Sequence, residues 1–401
     1  MNGDSVSGGP LYDGPVSGGP LNEGPVSGGR AAGLDGSRER AGAAAGAGTG
    51  TGAGTAGEDA LRARLTADLA RLRAPDAVLA VSRHGRRTVA CGGSARRPAG
   101  EREGLRYAVG SLSKTYTALL LAELAHAGAV GLDDPVVAHL PGPPPADAYA
   151  RRITLRHLAT HTSGLPRVPP EMVAGALLRP YANGYAHHDT GRLLRAFARA
   201  RPRNPPGSRW RYSNFGGALL GTALAHAAGT DFAALLTARV LRPLRLYDTG
   251  TAADPGRDAT GHRADGRTPL APAGTAGFAP AAGVRATPAD LLAYTEAHLR
   301  PGSGPVARAL RGVQVPLLRR GFGHRHCHTL AWYRHPAPGG PLLFHAGATF
   351  GMQAFAGFHP ASGTAVVGLV TRHDRACRIV SLAHALLYDL ASSAPRSAPQ
   401  D

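Results

Sequence analysis

Residues 109–118 read Val-Gly-Ser-Leu-Ser-Lys-Thr-Tyr-Thr-Ala, and three leucines follow directly. The stretch places Ser111 and Lys114 at the start of an apolar helical run. Residues three apart share one face of a helix, so the hydroxyl and the amine can meet. A helix N-terminus also offers unpaired N–H groups and a partial positive charge, which can hold an oxyanion. The pattern therefore predicts a nucleophilic serine beside a lysine, which acts as a base near neutral pH when it is desolvated.

Lysine occurs once in the chain, at position 114, although Lys and Arg together number 45. Arginine cannot accept a proton in a protein, whereas lysine can. The single lysine stands three residues after a serine, which favours a chemical role over a chance position on the surface.

The chain has 401 residues, of which 43% are hydrophobic and 18% charged, enough for one large globular domain or two ordinary ones. Its formal net charge is +18, but the arginines stand singly or in pairs, without a long basic block. We interpret them as a solvated surface that favours anionic substrates, and we expect no nucleic-acid partner.

Three cysteines are too few for a disulfide framework and favour a reducing compartment. The N-terminus shows no charged start followed by an apolar segment, as a secretory signal would. The longest apolar run, residues 116–132, is broken by Glu123 and His126 and predicts a buried helix rather than a membrane span. We therefore expect a cytoplasmic protein without a membrane partner.

The first 57 residues are of low complexity. A ten-residue repeat opening with Val-Ser-Gly-Gly begins at positions 6, 16 and 26, and residues 41–57 are almost entirely Ala, Gly and Thr. Such segments bury too little apolar surface to offset the loss of chain entropy. We predict a disordered tail over residues 1–57, a folded domain over 58–392 and a flexible C-terminus over 393–401.

Periodicity and turn residues predict the elements of the folded domain. Helices are predicted over residues 58–73, 111–132, 153–166 (a short capped helix), 190–198, 214–227, 232–241, 287–298 and 378–390. Strands are predicted at 77–81 and 88–91 as a hairpin, and at 328–333, 342–344, 352–358 and 364–370. A hairpin first, helices in the middle and strands at the end predict one antiparallel sheet built from both ends of the chain.

Two further stretches belong with Ser111 and Lys114, namely Tyr212-Ser213-Asn214 and His345-Ala346-Gly347. The motifs Ser-x-x-Lys, Tyr-x-Asn and His-x-Gly, in this order, resemble those of the serine β-lactamase and penicillin-binding-protein superfamily. The branch most similar contains class C β-lactamases, D-alanyl-D-alanine carboxypeptidases and related esterases. The resemblance implies an α+β fold of the β-lactamase/transpeptidase type, with an antiparallel sheet flanked by helices and a mostly helical subdomain.

The resemblance also implies roles for the first two motifs. Ser111 is expected to be the nucleophile that forms an acyl-enzyme, and Lys114 to accept or relay its proton. Tyr212 is expected to be a second acid/base, with its phenolate favoured by a cationic Lys114. Asn214 is expected to orient Lys114 and the substrate. The alternatives are a packed aromatic at Tyr212 and a helix N-cap at Asn214.

The third motif is implied to bind substrate. The N–H groups of Ser111 and Ala348 are expected to form an oxyanion hole beside Gly347, with His345 near the leaving group or carboxylate of the substrate. Many relatives carry a hydroxyl residue where this chain has Ala346, and there it helps to bind a substrate carboxylate. Its absence favours an esterase.

Two histidine patterns have metal-ligand spacing. His157 and His161 are four residues apart, but no HExxH glutamate lies between them, so structural roles are favoured. Residues 324–328 read His-Arg-His-Cys-His, which matches no standard metal site and is interpreted as an exposed turn. We expect no metal and no cofactor.

The sequence thus predicts a serine hydrolase that acts on a small-molecule ester or amide, with an esterase favoured. A β-lactamase, a D-alanyl-D-alanine carboxypeptidase and a biosynthetic acyltransferase stay open as alternatives. A polyanion-binding protein is the alternative outside the enzymes. The oligomeric state is left open.

Overall fold

The computed structural model describes residues 52–83, 85–173, 183–272, 274–320, 326–373 and 378–393. Residues 1–51 of the predicted tail and 394–401 of the predicted C-terminal segment lie outside the described residues. The proposed division of the chain at 57/58 and 392/393 therefore stays a prediction.

Most strands lie toward the two ends of the described chain, and most helices lie between them. The strands are β1 (Ala77–Arg83), β2 (Arg86–Gly92), β3 (Tyr107–Ala108), β4 (Arg285–Ala286), β5 (Leu318–Arg320), β6 (His326–His328), β7 (Tyr333–His335), β8 (Leu342–Thr349), β9 (Met352–His359) and β10 (Thr364–Val370). The α-helices are α1 (Gly52–Ala70), α2 (Ala99–Gly104), α3 (Ser113–His126), α4 (Ala148–Arg151), α5 (Leu155–Ala159), α6 (Thr190–Ala198), α7 (Asn214–Ala227), α8 (Phe232–Leu236), α9 (Ala279–Ala282), α10 (Pro288–Leu299), α11 (Ala307–Gly312) and α12 (Ile379–Ser392).

One sheet joins both ends of the chain. Its strand order is β2-β1-β10-β9-β8-β7-β6-β5, and neighbouring strands are antiparallel. β1 pairs with β10 along its whole length, from Ala77 opposite Val370 to Arg83 opposite Thr364. The prediction of an antiparallel sheet built from the two ends is confirmed, and so is the α+β fold class.

Helices cover both faces of this sheet. Because side chains alternate across a strand, Val78 and Ala80 of β1 face the helical middle of the chain, whereas Leu79 and Val81 face α1 and α12. The central strand β10 is buried at every position, as a strand covered on both sides must be. β8, which carries the His-x-Gly motif, therefore lies in a sheet fixed by two packed layers.

Several predicted elements differ from the structure: α3 ends at His126 rather than at residue 132, and α5 spans only Leu155–Ala159. α1 begins at Gly52 rather than at residue 58. The predicted strand over 328–333 is wrong, because a turn separates β6 from β7: the Thr329 N–H donates to the Trp332 carbonyl, and the Trp332 N–H donates to Thr329 Oγ1, both at 3.0 Å. The Thr329 side chain stabilises this turn by accepting a hydrogen bond, and β-propensity alone does not predict such a contact.

Within the described ranges, no single helix has both the length and the apolarity needed to cross a membrane. One helix pair, Asn214–Ala227 with Phe232–Leu241, meets the criterion jointly, with an 82° bend between its halves. The second half of this pair is α8 followed by a π-helix over Thr237–Leu241.

Candidate active site

Ser111 and Lys114 lie where a short 3₁₀ turn, Gly110–Leu112, leads into α3. Gly110 has φ +55°, a conformation that side chains other than hydrogen disfavour. The turn brings the two functional groups together as the helical spacing predicted, with Lys114 Nζ 3.3 Å from Ser111 Oγ. Lys114 is 5% exposed, so its amine is withdrawn from bulk water.

Lys114 has the surroundings of a neutral base. Its amine donates to Asn214 Oδ1 and to the Ala281 carbonyl, each at 2.8 Å. Burial, followed by the charge of Arg167, lowers the pKa of Lys114 well below its usual value. A neutral amine has two N–H donors and one lone pair, so two bonds to carbonyl oxygens leave the lone pair available to the Ser111 hydroxyl.

Tyr212 contacts the same hydroxyl from another direction. Its O–H donates to Ser111 Oγ at 2.6 Å, and its ring centroid lies 4.9 Å from Lys114 Nζ. Burial, followed by the neighbouring Tyr333, raises the pKa of Tyr212 above its usual value. This direction opposes the expected phenolate, because burial disfavours the charged form, and it leaves Tyr212 placed as a proton donor.

The Asn214 side chain makes hydrogen bonds within the site and does not cap a helix. The cap of α7 is Ser213, whose Oγ accepts from the Gly216 N–H at 2.8 Å. The Asn214 side chain instead accepts from Lys114 and donates through Nδ2 to the Tyr185 hydroxyl at 2.7 Å. Tyr185, stacked on Phe278 at a centroid distance of 4.5 Å, supports Asn214 from behind. No motif links Tyr185 to Asn214, so the sequence does not predict this contact.

The backbone of β8 passes closely beside the turn that carries Ser111. A Cβ placed on Gly347 would lie 2.0 Å from the Val109 carbonyl oxygen and 2.8 Å from the Ser111 nitrogen. β7 pairs only with Leu342–Phe344 of β8, so among the described residues the later part of β8 has no strand partner on that side. This arrangement suits the predicted oxyanion hole of the Ser111 and Ala348 N–H groups, since it sets two backbones side by side next to an open strand edge.

Gly347→Ala is expected to lower kcat/KM by about 10²-fold or more, because both atoms that the new methyl meets belong to backbone and cannot rotate away. The displacement of one oxyanion-hole donor costs about that much in other hydrolases. Gly100 of α2, where an added Cβ meets nothing within 4 Å, offers the matched control Gly100→Ala. Steady-state kinetics and the melting temperature of both variants check the prediction. A Gly347→Ala enzyme with the wild-type kcat/KM would contradict it.

His345 is a buried side chain on β8. It is 1% exposed, and its Nδ1 donates to the Ala346 carbonyl at 2.8 Å. Burial, followed by Lys114, lowers the pKa of His345 to about 3, so the ring is neutral above that pH. A neutral imidazole has no positive charge with which to replace the hydroxyl that is missing at Ala346 in binding a carboxylate. Its contact with substrate stays a prediction.

His157 in α5 and His161 just after this helix both have structural partners. His157 and Thr154 form a capping box, in which the His157 N–H donates to Thr154 Oγ1 and the Thr154 N–H donates to His157 Nδ1. His161 Nδ1 accepts from the Ser213 N–H at 3.3 Å and so holds the Tyr-x-Asn segment. Among the described residues, no group of three or more metal-ligating side chains forms. His324 and Arg325 of the His-rich run lie outside the described residues, and the rest of the run forms β6.

Several residues that no motif predicted border this site. Trp210 is covered by the Arg320 guanidinium, 3.8 Å from its ring centroid, and Arg320 Nε donates to His328 Nε2 at 2.8 Å. The ring of Tyr333 lies 5.3 Å from His345, centroid to centroid. Arg167 stands 5.5 Å from the Tyr212 ring centroid. These contacts come from tertiary packing between distant segments, which leaves no local signal in the sequence.

The chain is similar to proteins of one family. A family model described as Beta-lactamase matches residues 61–387. D-alanyl-D-alanine-carboxypeptidase/endopeptidase AmpH of Escherichia coli (strain K12) is 32% identical over 193 residues, which cover 48% of this chain and 48% of that protein. Esterase EstB of Burkholderia gladioli is 35% identical over 193 residues, which cover 45% and 48%. Penicillin-binding protein 4 of Amycolatopsis lactamdurans is 29% identical over 286 residues, which cover 65% and 71%.

The matches to the carboxypeptidase and the esterase span about half the length of those relatives. Among solved structures, a class C beta-lactamase superposes with a TM-score of 0.71 at 20% identity, covering 87% of this chain and 99% of that one. A beta-lactamase/D-alanine carboxypeptidase from Pseudomonas syringae superposes with a TM-score of 0.70 at 20% identity, covering 82% and 98%. At these identities the superpositions show the shared fold alone. The fold, the three motifs and the family match over most of the chain together show that it belongs to the Beta-lactamase family and is a serine hydrolase of that superfamily.

Proposed function

We propose that this protein hydrolyses a small ester or amide through an acyl-enzyme on Ser111, with esters favoured. The observation that carries the proposal is the position of Ser111 Oγ between a base and a donor. Lys114 Nζ lies 3.3 Å away and has a lowered pKa, whereas the Tyr212 hydroxyl lies 2.6 Å away and has a raised one. Two groups whose pKa values are pushed apart in opposite directions are suited to separate base and acid roles.

Acylation follows from this arrangement. Ser111 Oγ attacks the substrate carbonyl carbon as its proton passes to Lys114 Nζ, and the carbonyl oxygen becomes an oxyanion between the Ser111 and Ala348 N–H groups. The bond to the leaving group then breaks. The departing alcohol or amine takes the proton of Tyr212, and Tyr212 recovers a proton from Lys114.

Deacylation runs through the same groups. Water attacks the acyl carbon, its proton passes to the base, and Ser111 Oγ leaves with a proton returned to it. The Asn214 side chain and the Ala281 carbonyl hold the Lys114 amine in place throughout, since each accepts one of its N–H groups. The net reaction consumes one water and releases one acid and one alcohol or amine.

The preference for esters rests on the third motif. Ala346 has no hydroxyl, and a charge-assisted hydrogen bond to a substrate carboxylate contributes roughly 1.5–3 kcal/mol. The neutral His345 cannot replace it. An ester needs less help than an amide, because its alkoxide leaves more readily. The similarity to an esterase over 193 residues is consistent with this, although the carboxypeptidase matches over an equal length.

A comparison of p-nitrophenyl acetate with nitrocefin tests the proposal, because nitrocefin carries a carboxylate beside its β-lactam amide. We expect a higher kcat/KM for the ester in the wild type. Ala346→Thr is expected to raise the nitrocefin-to-ester ratio by about tenfold to a hundredfold. Nitrocefin hydrolysis at or above the ester rate in the wild type would instead favour a β-lactamase. Turnover of neither compound would contradict the proposed hydrolase of small activated esters.

A further inference from the structure

Arg167 lies at the edge of the proposed catalytic group. It lies in the loop after α5, and its carbonyl accepts from the N–H groups of Asn214 and Phe215 at 2.8 and 3.0 Å. This backbone bond fixes Arg167 beside the start of α7. Its guanidinium carbon lies 5.5 Å from the Tyr212 ring centroid, and its charge lowers the pKa of Lys114. The side chain therefore lies within electrostatic reach of the nucleophile's partners.

The N–H donors of the Arg167 guanidinium are not used by described side chains. Within the part of the chain that the structure describes, it makes no hydrogen bond or ion pair with a side chain, and Arg167 is half-buried. The nearest acidic residue along the chain, Glu171, lies 3.8 Å from Arg199 instead. Stacking on a tyrosine holds a guanidinium without using its N–H groups. Among the described residues, no side chain thus accepts from the guanidinium of Arg167, so its five N–H donors can bind an acceptor on a ligand.

Arg320, the other arginine that borders the site, is not in this situation. Its guanidinium covers Trp210 at 3.8 Å and donates to His328 at 2.8 Å. Arg320 packs within the border of the site, whereas no described side chain forms an ion pair with Arg167 beside Lys114 and Tyr212. A half-buried cation without a counter-charge is costly unless a ligand supplies one.

We propose that Arg167 binds a carboxylate of the substrate and so determines a preference for anionic esters or amides. The inference rests on the proposed function and deepens it. Guanidinium and carboxylate form a bidentate pair of N–H···O bonds, the strongest match available to this side chain. Arg167 lies in the loop after α5 and Ala346 on β8, so the carboxylate bound by Arg167 would belong to another part of the substrate than the one that a hydroxyl at position 346 would bind, and the expected preference for p-nitrophenyl acetate over nitrocefin is unchanged.

Binding at Arg167 would also act on the base. The positive charge of Arg167 disfavours a proton on Lys114. Loss of that charge in Arg167→Gln makes protonation of Lys114 easier, so the pKa of Lys114 rises. The acidic limb of the kcat/KM profile for p-nitrophenyl acetate should then move to higher pH. A merely structural role for Arg167 predicts no such displacement.

Aryl boronic acids test the proposal by binding alone, because boron forms a reversible bond to a nucleophilic serine oxygen without turnover. Phenylboronic acid is compared with its 3-carboxy and 4-carboxy derivatives by isothermal titration. In the wild type we expect at least one carboxy derivative to bind about tenfold more tightly than phenylboronic acid. Arg167→Gln should lose this ratio, and Arg167→Lys should keep part of it. The control Arg86→Gln alters an exposed arginine on the outermost strand β2 and should leave the ratio unchanged.

The outcomes separate the two proposals. Equal binding of all three compounds to the wild type, or a carboxylate preference that survives Arg167→Gln, would overturn the role of Arg167 and leave the nucleophile intact. Failure of every boronic acid to bind folded wild-type protein would overturn the serine nucleophile, and the inference with it. A ratio lost only in Arg167→Gln, together with the displaced acidic limb, would support it.

Discussion

Replacement of Ser111 by alanine is expected to lower kcat by about 10⁴-fold or more, because the remaining groups can then only position water. The melting temperature should change little, since the Ser111 hydroxyl serves only Lys114 and Tyr212 among the described contacts. The wild type, treated with a slowly released ester, should gain the mass of one acyl group on the peptide that contains Ser111.

Ser113 provides the matched control two residues further on. Its hydroxyl is fully buried, donates to the Gly110 carbonyl at 2.7 Å and accepts from the Val284 N–H at 2.9 Å. Ser113→Ala leaves that N–H unpaired, which costs roughly 1–3 kcal/mol of stability. We expect this variant to have a lower melting temperature and still to form the acyl-enzyme on Ser111. An acyl group on Ser113, or full activity in Ser111→Ala, would overturn the assignment.

Loss of Lys114 is expected to have the second largest effect. Lys114→Met keeps the length of the side chain and removes the base, so kcat/KM should fall by between about 10² and 10⁴-fold, the range that general-base groups contribute. Lys114→Arg separates base from charge, because arginine is always protonated. If Lys114 acts as a neutral base, both variants lose most of their kcat/KM. If it acts only as a fixed cation, the arginine variant keeps much of the activity.

The pH profile checks the same point in the wild type. Lys114 is active when deprotonated, so kcat/KM should rise with pH through its lowered pKa and then level off. This acidic limb should be absent from the residual activity of Lys114→Met. Circular dichroism of each variant confirms folding, since the Asn214 and Ala281 oxygens lose their donor in the methionine variant. A limb that persists unchanged without Lys114 would assign the titration to another group.

The sequence predicted those parts of the site that lie within one helical turn or one strand. Ser111 meets Lys114 because both stand on α3 and its leading turn, and Gly347 is identified by a short motif on β8. The sheet followed from alternating apolar runs at the two ends of the chain. These features depend on local spacing, which a sequence displays directly.

The remaining features of the site depend on burial and on packing between distant segments. The neutral Tyr212 and neutral His345 follow from desolvation, and desolvation depends on segments that come together only in the folded protein. The support of Asn214 by Tyr185 and the position of Arg167 are likewise contacts between loops and helices of different regions. The Ala281 carbonyl that holds Lys114 carries no side-chain signal at all.

The pairing of β1 with β10 has a consequence for the protein during its synthesis. The buried contact between Asp76 and Thr371 joins residues 295 positions apart. On the ribosome, the β1–β2 hairpin emerges early with one edge unpaired, and β8 and β10 follow only after the whole helical middle of the chain. The nascent chain therefore carries Ser111 without the strand edge that is expected to hold its oxyanion. We therefore expect the nascent chain to be inactive until β8 has been translated and has paired within the sheet.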